Sequence, residues 1–411
     1  MSAATPQTDV CIIGAGPVGL ALACLLLRSG CSCLIADRGG NGDKNNRIDP
    51  RALALTPAAR AILDGCGAWA RLDPAAIGEF RRMEVWDESG SGRIEFNCAD
   101  LCLSTLGYIV NQADLESALC AALNDLGAQV MPLAELERLE AGATQISVHG
   151  ADGAQLTARV LVGADGARSR VRELAGIEYP SQLYDQQALA CTVRTSLPHG
   201  WTARQRFLAT GPLAFLPLAD TNSCGIVWST SPEQARRLQL QDEGDFRKEL
   251  AMAIGQVLGD VEDCGPRVVF PLQRAQADRY CRSRLVLVGD AAHSVHPLAG
   301  QGANLGLLDA ASLAELMLKA IKSGRDPGNM RTLRAYERWR RGENEIMITA
   351  LDAIQKLFAT PEPALLRLRN AGLDLCNALD PIKHVFMTRA MGLSGDLPAA
   401  AWVPLAATGL R

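Results

Sequence analysis

The stretch Val10-Cys11-Ile12-Ile13-Gly14-Ala15-Gly16-Pro17-Val18-Gly19 decides how the rest of the chain is read. Asp9 to Ile13 is a short apolar run ending at glycine, the pattern of a buried strand. Pro17 to Ser29 is rich in Ala and Leu and closes at Gly30, the pattern of a helix. Cys31 to Ala36 is a second apolar run, so the unit reads strand, turn, helix, strand. In such a unit Gly14 allows the tight turn, Gly16 lets backbone approach a pyrophosphate, and Gly19 lets helix and strand pack closely. The helix start at Pro17 offers free N–H groups and a positive dipole end to phosphates. Asp37 lies 21 residues past Gly16, where a carboxylate accepts ribose hydroxyls. The unit binds a dinucleotide, and by itself does not choose between FAD and NAD.

The same region carries a trap. Val10 to Leu27 is 18 residues without a charge, which a length rule assigns to a membrane span. Gly14, Gly16, Pro17 and Gly19 interrupt it, and the nucleotide reading explains their spacing. Met1 to Thr8 has no basic residue ahead of an apolar core, so it is not read as a signal peptide.

Working outward, 411 residues at about 150 per domain predict two or three domains. Hydrophobic residues at 48% and charged residues at 21% exclude a disordered or fibrous chain. The 13 cysteines are an odd number lying mostly in apolar runs (Cys11, Cys24, Cys191), where a reduced thiol acts as a small hydrophobe. A reducing, cytoplasmic location follows. A net charge of -4 gives no basic field, so no nucleic-acid partner is expected.

Along the chain, Thr56–Ala70 reads as helical, and Glu79–Trp86 and Gly92–Phe96 as strands around a turn at Ser89-Gly90. Gln112–Leu126 has apolar residues at helical spacing, and Gln129–Val162 reads as a small meander. Residues 187–230 alternate apolar and polar residues as antiparallel strands do; Pro232–Leu258 reads as a helical stretch and Val268–Leu272 as a strand. The apolar strand pattern returns at Leu285–Val288, and from Ala335 the chain is mostly helical. The expected fold is α/β: a discontinuous Rossmann-like domain (1–80, 100–178 and 275–335), an inserted antiparallel-sheet module (81–99 and 179–274) and a helical C-terminal region (336–411).

Two further motifs carry chemistry. Leu285-Val-Leu-Val-Gly289-Asp290 is an apolar strand delivering Asp290 at its C-terminal end, where ligands of open α/β sheets bind. Asp290 there can bond a polyol chain. Pro297 and the stretch Gly300-Gln301-Gly302-Ala303-Asn304 lead into a helix from about Leu305, a second dipole-positive cradle. Val160-Leu-Val-Gly163-Ala164-Asp165-Gly166, with Ser169, Arg170 and Arg172, is a strand, a turn and a basic helix start. Alone, that segment is an ordinary turn with a solvated basic face.

Together and in this order, the three segments resemble the motifs of the class A flavoprotein aromatic hydroxylases. Gly289-Asp-Ala-Ala-His-Ser-Val-His-Pro-Leu-Ala-Gly-Gln-Gly-Ala-Asn-Leu-Gly306 is similar to the signature of the ubiquinone-biosynthesis hydroxylases; Arg369-Asn-Ala-Gly372 and Ala390-Met-Gly392 agree. One departure is Ala303, where that group often has a larger aliphatic residue. The resemblance implies a fold like para-hydroxybenzoate hydroxylase and FAD as cofactor. It implies hydroxylation of a polyprenylated phenol by O₂ through a C4a-hydroperoxyflavin. Gly14, Gly16, Pro17 and Gly19 would hold the FAD pyrophosphate, Asp37 the adenosine ribose, with Arg38 beside it. Arg51 and Gln112 would contact the cofactor, Asp165 would serve both FAD and a nicotinamide donor, and Asp290 would bond the ribityl chain. Pro297, Gly300, Gly302, Ala303 and Asn304 would line the flavin ring. No second glycine unit is present, so electrons would come from NAD(P)H bound transiently or from a partner reductase. Peripheral contact at the inner membrane face and membership of a biosynthetic complex stay open. So do two other functions: hydroxylation of a small soluble aromatic, and a non-catalytic FAD-binding subunit.

The remaining features have blander readings. His293 and His296 lack the further ligands a metal site needs, so no metal is expected. His296 is near the expected site by motif position, but no catalytic base is assigned. Cys191 and Cys224 read as core, because nothing basic flanks them. Arg331, Arg334, Arg338 and Arg341 share a helical face that reads as solvated, with an anionic bilayer as the other option. Met347, Ala350, Leu351, Ile354, Leu357 and Phe358 form an apolar stripe read as core packing, or as the entrance for a polyprenyl tail.

Overall fold

A computed structural model describes residues 8–39, 51–90, 92–295, 300–359 and 362–403. The opening unit is a strand (Thr8–Ile13), a helix (Pro17–Arg28) and a strand (Cys33–Asp37). Pro17 presets the first helical turn, and Leu20, Ala21, Leu22, Ala23, Cys24 and Leu26 are buried. The uncharged run Val10–Leu27 is thus the end of a strand, a turn and most of a core helix. No helix among the described residues is long and apolar enough to cross a membrane.

Five strands of the first sheet are parallel, in the order Leu285–Leu287, Gln155–Gly163, Thr8–Ile13, Cys33–Asp37, Val130–Pro132. The hairpin Leu136–Ala141/Ile146–Gly150 adds antiparallel to Gln155–Gly163. The return of an apolar strand late in the sequence therefore closes the sheet begun by the first residues. Parallel strands covered on both faces read as continuous apolar runs, as these do.

The second sheet runs His293–Ser294, Val268–Gln276, Ser181–Thr195, Ser223–Thr230, Gly211–Pro217, Thr202–Leu208, Arg82–Asp87, Arg93–Asn97. Its pairings are antiparallel except that between Thr202–Leu208 and Arg82–Asp87. Successive side chains alternate faces. Leu189, Cys191, Leu213, Phe215, Ile226 and Trp228 form a core with Leu238, Phe246 and Leu250 of the covering helices Pro232–Leu240 and Glu243–Ala253. Ala190, Ala203, Gln205, Ala214, Val227 and Ser229 turn the other way, onto a cavity. A small third sheet (Ala52–Leu55, Gly107–Asn111, Gly78–Phe80) contributes Ala52, Leu53, Ala54, Phe80 and Ile109 to the same cavity.

Helices Met330–Ala359, Pro363–Ala378 and Asp380–Ala390 complete the described fold. Leu351 is buried, and Phe358 stacks on Phe207 of the second sheet with ring centroids 3.8 Å apart. That part of the apolar stripe is core packing. Of the arginines on that helical face, Arg331, Arg334 and Arg338 are exposed and Arg341 is half-buried.

Several elements differ from expectation. Left-handed Gly67 stops the helix at Cys66, well short of Ala70. The run Glu79–Trp86 is divided between two sheets, ending one strand at Phe80 and starting the next at Arg82. Pro232–Leu258 holds two helices, because Asp242 caps a new start with its side chain on Gly244 N. Ala52–Leu55 is a strand that the sequence reading passed over, and the late helix begins at Gln301 rather than Leu305.

Candidate active site

A cavity of about 460 Å³ lies between the glycine turns and the open face of the second sheet. Gly16, Pro17 and Val18 line one end. Gly14 has φ +108°, and an added Cβ would run into the Ala164 carbonyl; at Gly19 it would sit on the Gly14 carbonyl. Those two glycines pack the turn. Gly16 does something else: nothing lies within 4 Å of an added Cβ, so it leaves an empty cradle beside the helix start. No side chain caps this helix, and its first turn carries no acidic residue. Its positive end is open to an anion.

The other end is built by Gly300, Gly302 and Ala303, at the start of the helix Gln301–Lys322. No side chain caps this start either. Asn304 is buried away from the cavity: its amide donates to the carbonyls of Ala54 (2.8 Å) and Gly300 (3.0 Å) and accepts from Thr56 N–H (2.9 Å). It holds the loop in place. Pro297 and His296 fall outside the described residues.

Asp290 stands between the two ends. Its turn is held from three sides: Gly289 N–H donates to Asp309 (3.1 Å), Arg172 donates to Ala291 O (2.9 Å), and the Tyr179 hydroxyl donates to Asp290 O (3.0 Å). Tyr179 also bonds Ser294 at 2.8 Å, and the Arg172 guanidinium lies over its ring. Burial pushes the Tyr179 hydroxyl up to about 12. The Asp290 carboxylate lines the cavity and has no hydrogen-bond partner among the described residues. Burial raises it above the usual carboxylate range, against the pull of His293 and Arg51. The side chain is exposed in the cavity, so its lone pairs are open to a ligand donor.

Behind the turn lies a buried ion network. Asp309 accepts from His293 Nε2 (2.6 Å), Arg340 Nε (2.8 Å) and Asn344 Nδ2 (3.1 Å). Burial pushes the Asp309 carboxyl up, but His293 and Arg340 outweigh it and hold it down at about 2. His293 is therefore spent on Asp309, and no group of three or more His, Cys, Asp or Glu that could hold a metal occurs among the described residues.

The other sequence-derived candidates divide. Arg51 and Gln112 line the cavity, Gln112 N–H donating to Arg51 O (3.1 Å) and its amide to Glu116 (2.9 Å). Asp37 accepts from Ala15 N–H (2.8 Å) and Gly39 N–H (3.1 Å), so it ties down the glycine turn with lone pairs to spare. Arg38 is exposed and away from the cavity. Asp165 is turned into its own loop, accepting from Ser169 Oγ (2.5 Å) and Val171 N–H (3.0 Å). Its neighbour Gly166 lines the cavity instead. The sequence reading missed the sheet wall, Gln205 and Ser229 included, although the alternation over residues 187–230 was the signal for it.

The cavity, with two uncapped helix starts and an unpartnered carboxylate between them, fits an anionic dinucleotide with a polyol linker. Comparison with known proteins agrees. A family described as FAD binding domain matches residues 7–348. The chain is 33% identical over 434 residues to "Ubiquinone biosynthesis monooxygenase COQ6, mitochondrial" of Danio rerio, covering 93% of this chain and 89% of the relative. It is 32% identical over 397 residues to 3-demethoxyubiquinol 3-hydroxylase of Escherichia coli, covering 94% and 99%. Among solved structures, p-nitrophenol 4-monooxygenase PnpA of Pseudomonas putida has the same fold, with TM-score 0.77 at 21% identity, covering 95% of this chain and 99% of that one.

Proposed function

The chain belongs to this FAD-binding family, and we propose that it hydroxylates the aromatic ring of a polyprenylated phenol in ubiquinone biosynthesis. The observation that carries the reading is one cavity with a dinucleotide cradle on one side and an apolar sheet on the other. FAD, once reduced, supplies the activation of O₂ that ring hydroxylation needs. The protein's own residues bind, orient and exclude water. The Gly16 cradle and the Pro17 helix start hold the pyrophosphate, and Asp37 takes the adenosine ribose. Asp290 accepts from the ribityl hydroxyls, and Gly300, Gly302 and Ala303 border the flavin ring. Arg51 and Gln112 close the cofactor side.

Opposite them, Ala190, Ala203, Ala214, Leu216, Val227 and Phe270 keep water from the reacting ring. A small charged aromatic would call for a free cation on this wall. Arg204 is not one: its guanidinium donates to His199 O (2.8 Å) and pairs with Glu84 at 3.4 Å. The apolar wall favours a phenol with a greasy tail. Electrons come from NAD(P)H bound transiently at the flavin domain, or from a partner reductase.

The test is the absorbance of the purified, FAD-reconstituted protein, followed by titration with a short-tailed polyprenylphenol. Flavin bands that shift on addition of the phenol are expected. Failure to retain FAD overturns the cofactor assignment, and flavin bands indifferent to any phenol overturn the substrate.

A further inference from the structure

We propose that Gln205, with Ser229 two strands away on the same face, is the polar clamp that orients the phenol ring against the flavin cradle. The inference rests on the hydroxylase reading above and names the residues that would aim its substrate. Arg204 and Ser294 also line this side of the second sheet, but both are bonded within the protein; the rest is apolar, with Ala190, Ala203, Pro212, Ala214, Leu216 and Val227 around these two side chains. Gln205 is 7% exposed and Ser229 is 1% exposed. Both line the cavity, and neither side chain has a hydrogen-bond partner among the described residues. Buried amides are nearly always bonded, so an orphaned one on a cavity wall marks a place for a ligand's polar group.

The register puts them on one face. Gln205 pairs with Ala214 and Phe207 with Pro212; Ala214 pairs with Val227, which places Ser229 across from Pro212. The two side chains therefore stand one step apart along the strands and two strands apart across the sheet, on one face, with small residues between them. That is a flat bed for an aromatic ring with a polar contact at each end. The Gln205 amide N–H donates to the phenol oxygen, which also favours the ionised, more electron-rich ring. Ser229 Oγ bonds a second ring oxygen where the substrate carries one. The ring carbon to be hydroxylated then faces Gly300–Ala303 across the cavity.

The test uses the FAD-loaded full chain and two short-tailed probes: a polyprenylphenol, and its analogue with hydrogen in place of the phenol hydroxyl. Binding is read from the flavin spectrum and hydroxylation from product formed per reductant consumed. Gln205→Leu should bind the phenol roughly tenfold to a hundredfold more weakly, and should turn reductant into H₂O₂ rather than product. The deoxy analogue should bind wild type and variant alike. FAD content and thermal midpoint of the variant should match wild type. Equal phenol affinity in wild type and Gln205→Leu overturns the proposal, as does an equal loss for both probes. If Gln205→Leu does not fold, Gln205→Met keeps the side-chain length and carries the same comparison. Wild-type protein that binds no phenol would instead overturn the hydroxylase reading.

Discussion

Gly16 and Gly19 sit three residues apart and answer to different constraints. At Gly19 an added Cβ strikes the Gly14 carbonyl; at Gly16 it meets open space. Gly19→Ala should lower stability by ~1–3 kcal/mol through overpacking, read in a denaturant melt. Gly16→Val should melt like wild type and lose most of its FAD, read by flavin absorbance. A similar separation holds at Asp290. Asp290→Ala should weaken FAD roughly tenfold, the worth of about one hydrogen bond. The FAD-free variant should be no less stable than wild type at neutral pH. A carboxyl raised by burial contributes stability only while protonated, and that contribution is lost as pH rises through its folded pKa. At this scale the glycine roles were legible, because strand, turn and helix are local in sequence. Asp37 shows where legibility stops: its bond to Ala15 N–H spans 22 residues and is formed only when the two strands pair.

Elements are joined here by buried charge, and the sequence hides it. Arg340 lies among Arg334, Arg338 and Arg341 on one helix, yet it alone of these is buried, paired with Asp309. Nothing in the run of arginines singles it out; only the fold brings Asp309, His293 and Arg340 together. Asp309→Ala should cost ~3–5 kcal/mol, because it leaves Arg340 buried without a counter-charge. Since the native Asp309 pKa is held at about 2, its contribution is full above the unfolded value, about 4, and is lost as pH falls toward about 2. A pH series of urea melts reads both. The helix Pro363–Ala378 caps a sheet edge in a similar way. Asn370, Asp374 and Asn377 accept from the N–H groups of Gly92, Arg93 and Glu95, which would otherwise be an open edge. Arg369 pairs with buried Asp87 beneath them. Arg369→Ala should speed amide exchange at Gly92 and Glu95 while leaving amides of the parallel sheet protected.

For the whole molecule, the division into a parallel dinucleotide sheet and an antiparallel sheet was legible, because continuous apolar runs and alternating runs are different periodicities. The cavity between them was not, since it is made by strands from both ends of the chain. In the proposed reaction one cavity brings FAD and a polyprenylated phenol together for ring hydroxylation. Its most direct measurement is aerobic turnover of the FAD-loaded protein with a short-tailed polyprenylphenol, a reductant and isotopically labelled O₂. A hydroxylated ring carrying one labelled oxygen is expected, with product formed in step with reductant consumed. With phenol binding and a supply of electrons verified, consumption of O₂ to H₂O₂ without labelled product would contradict it.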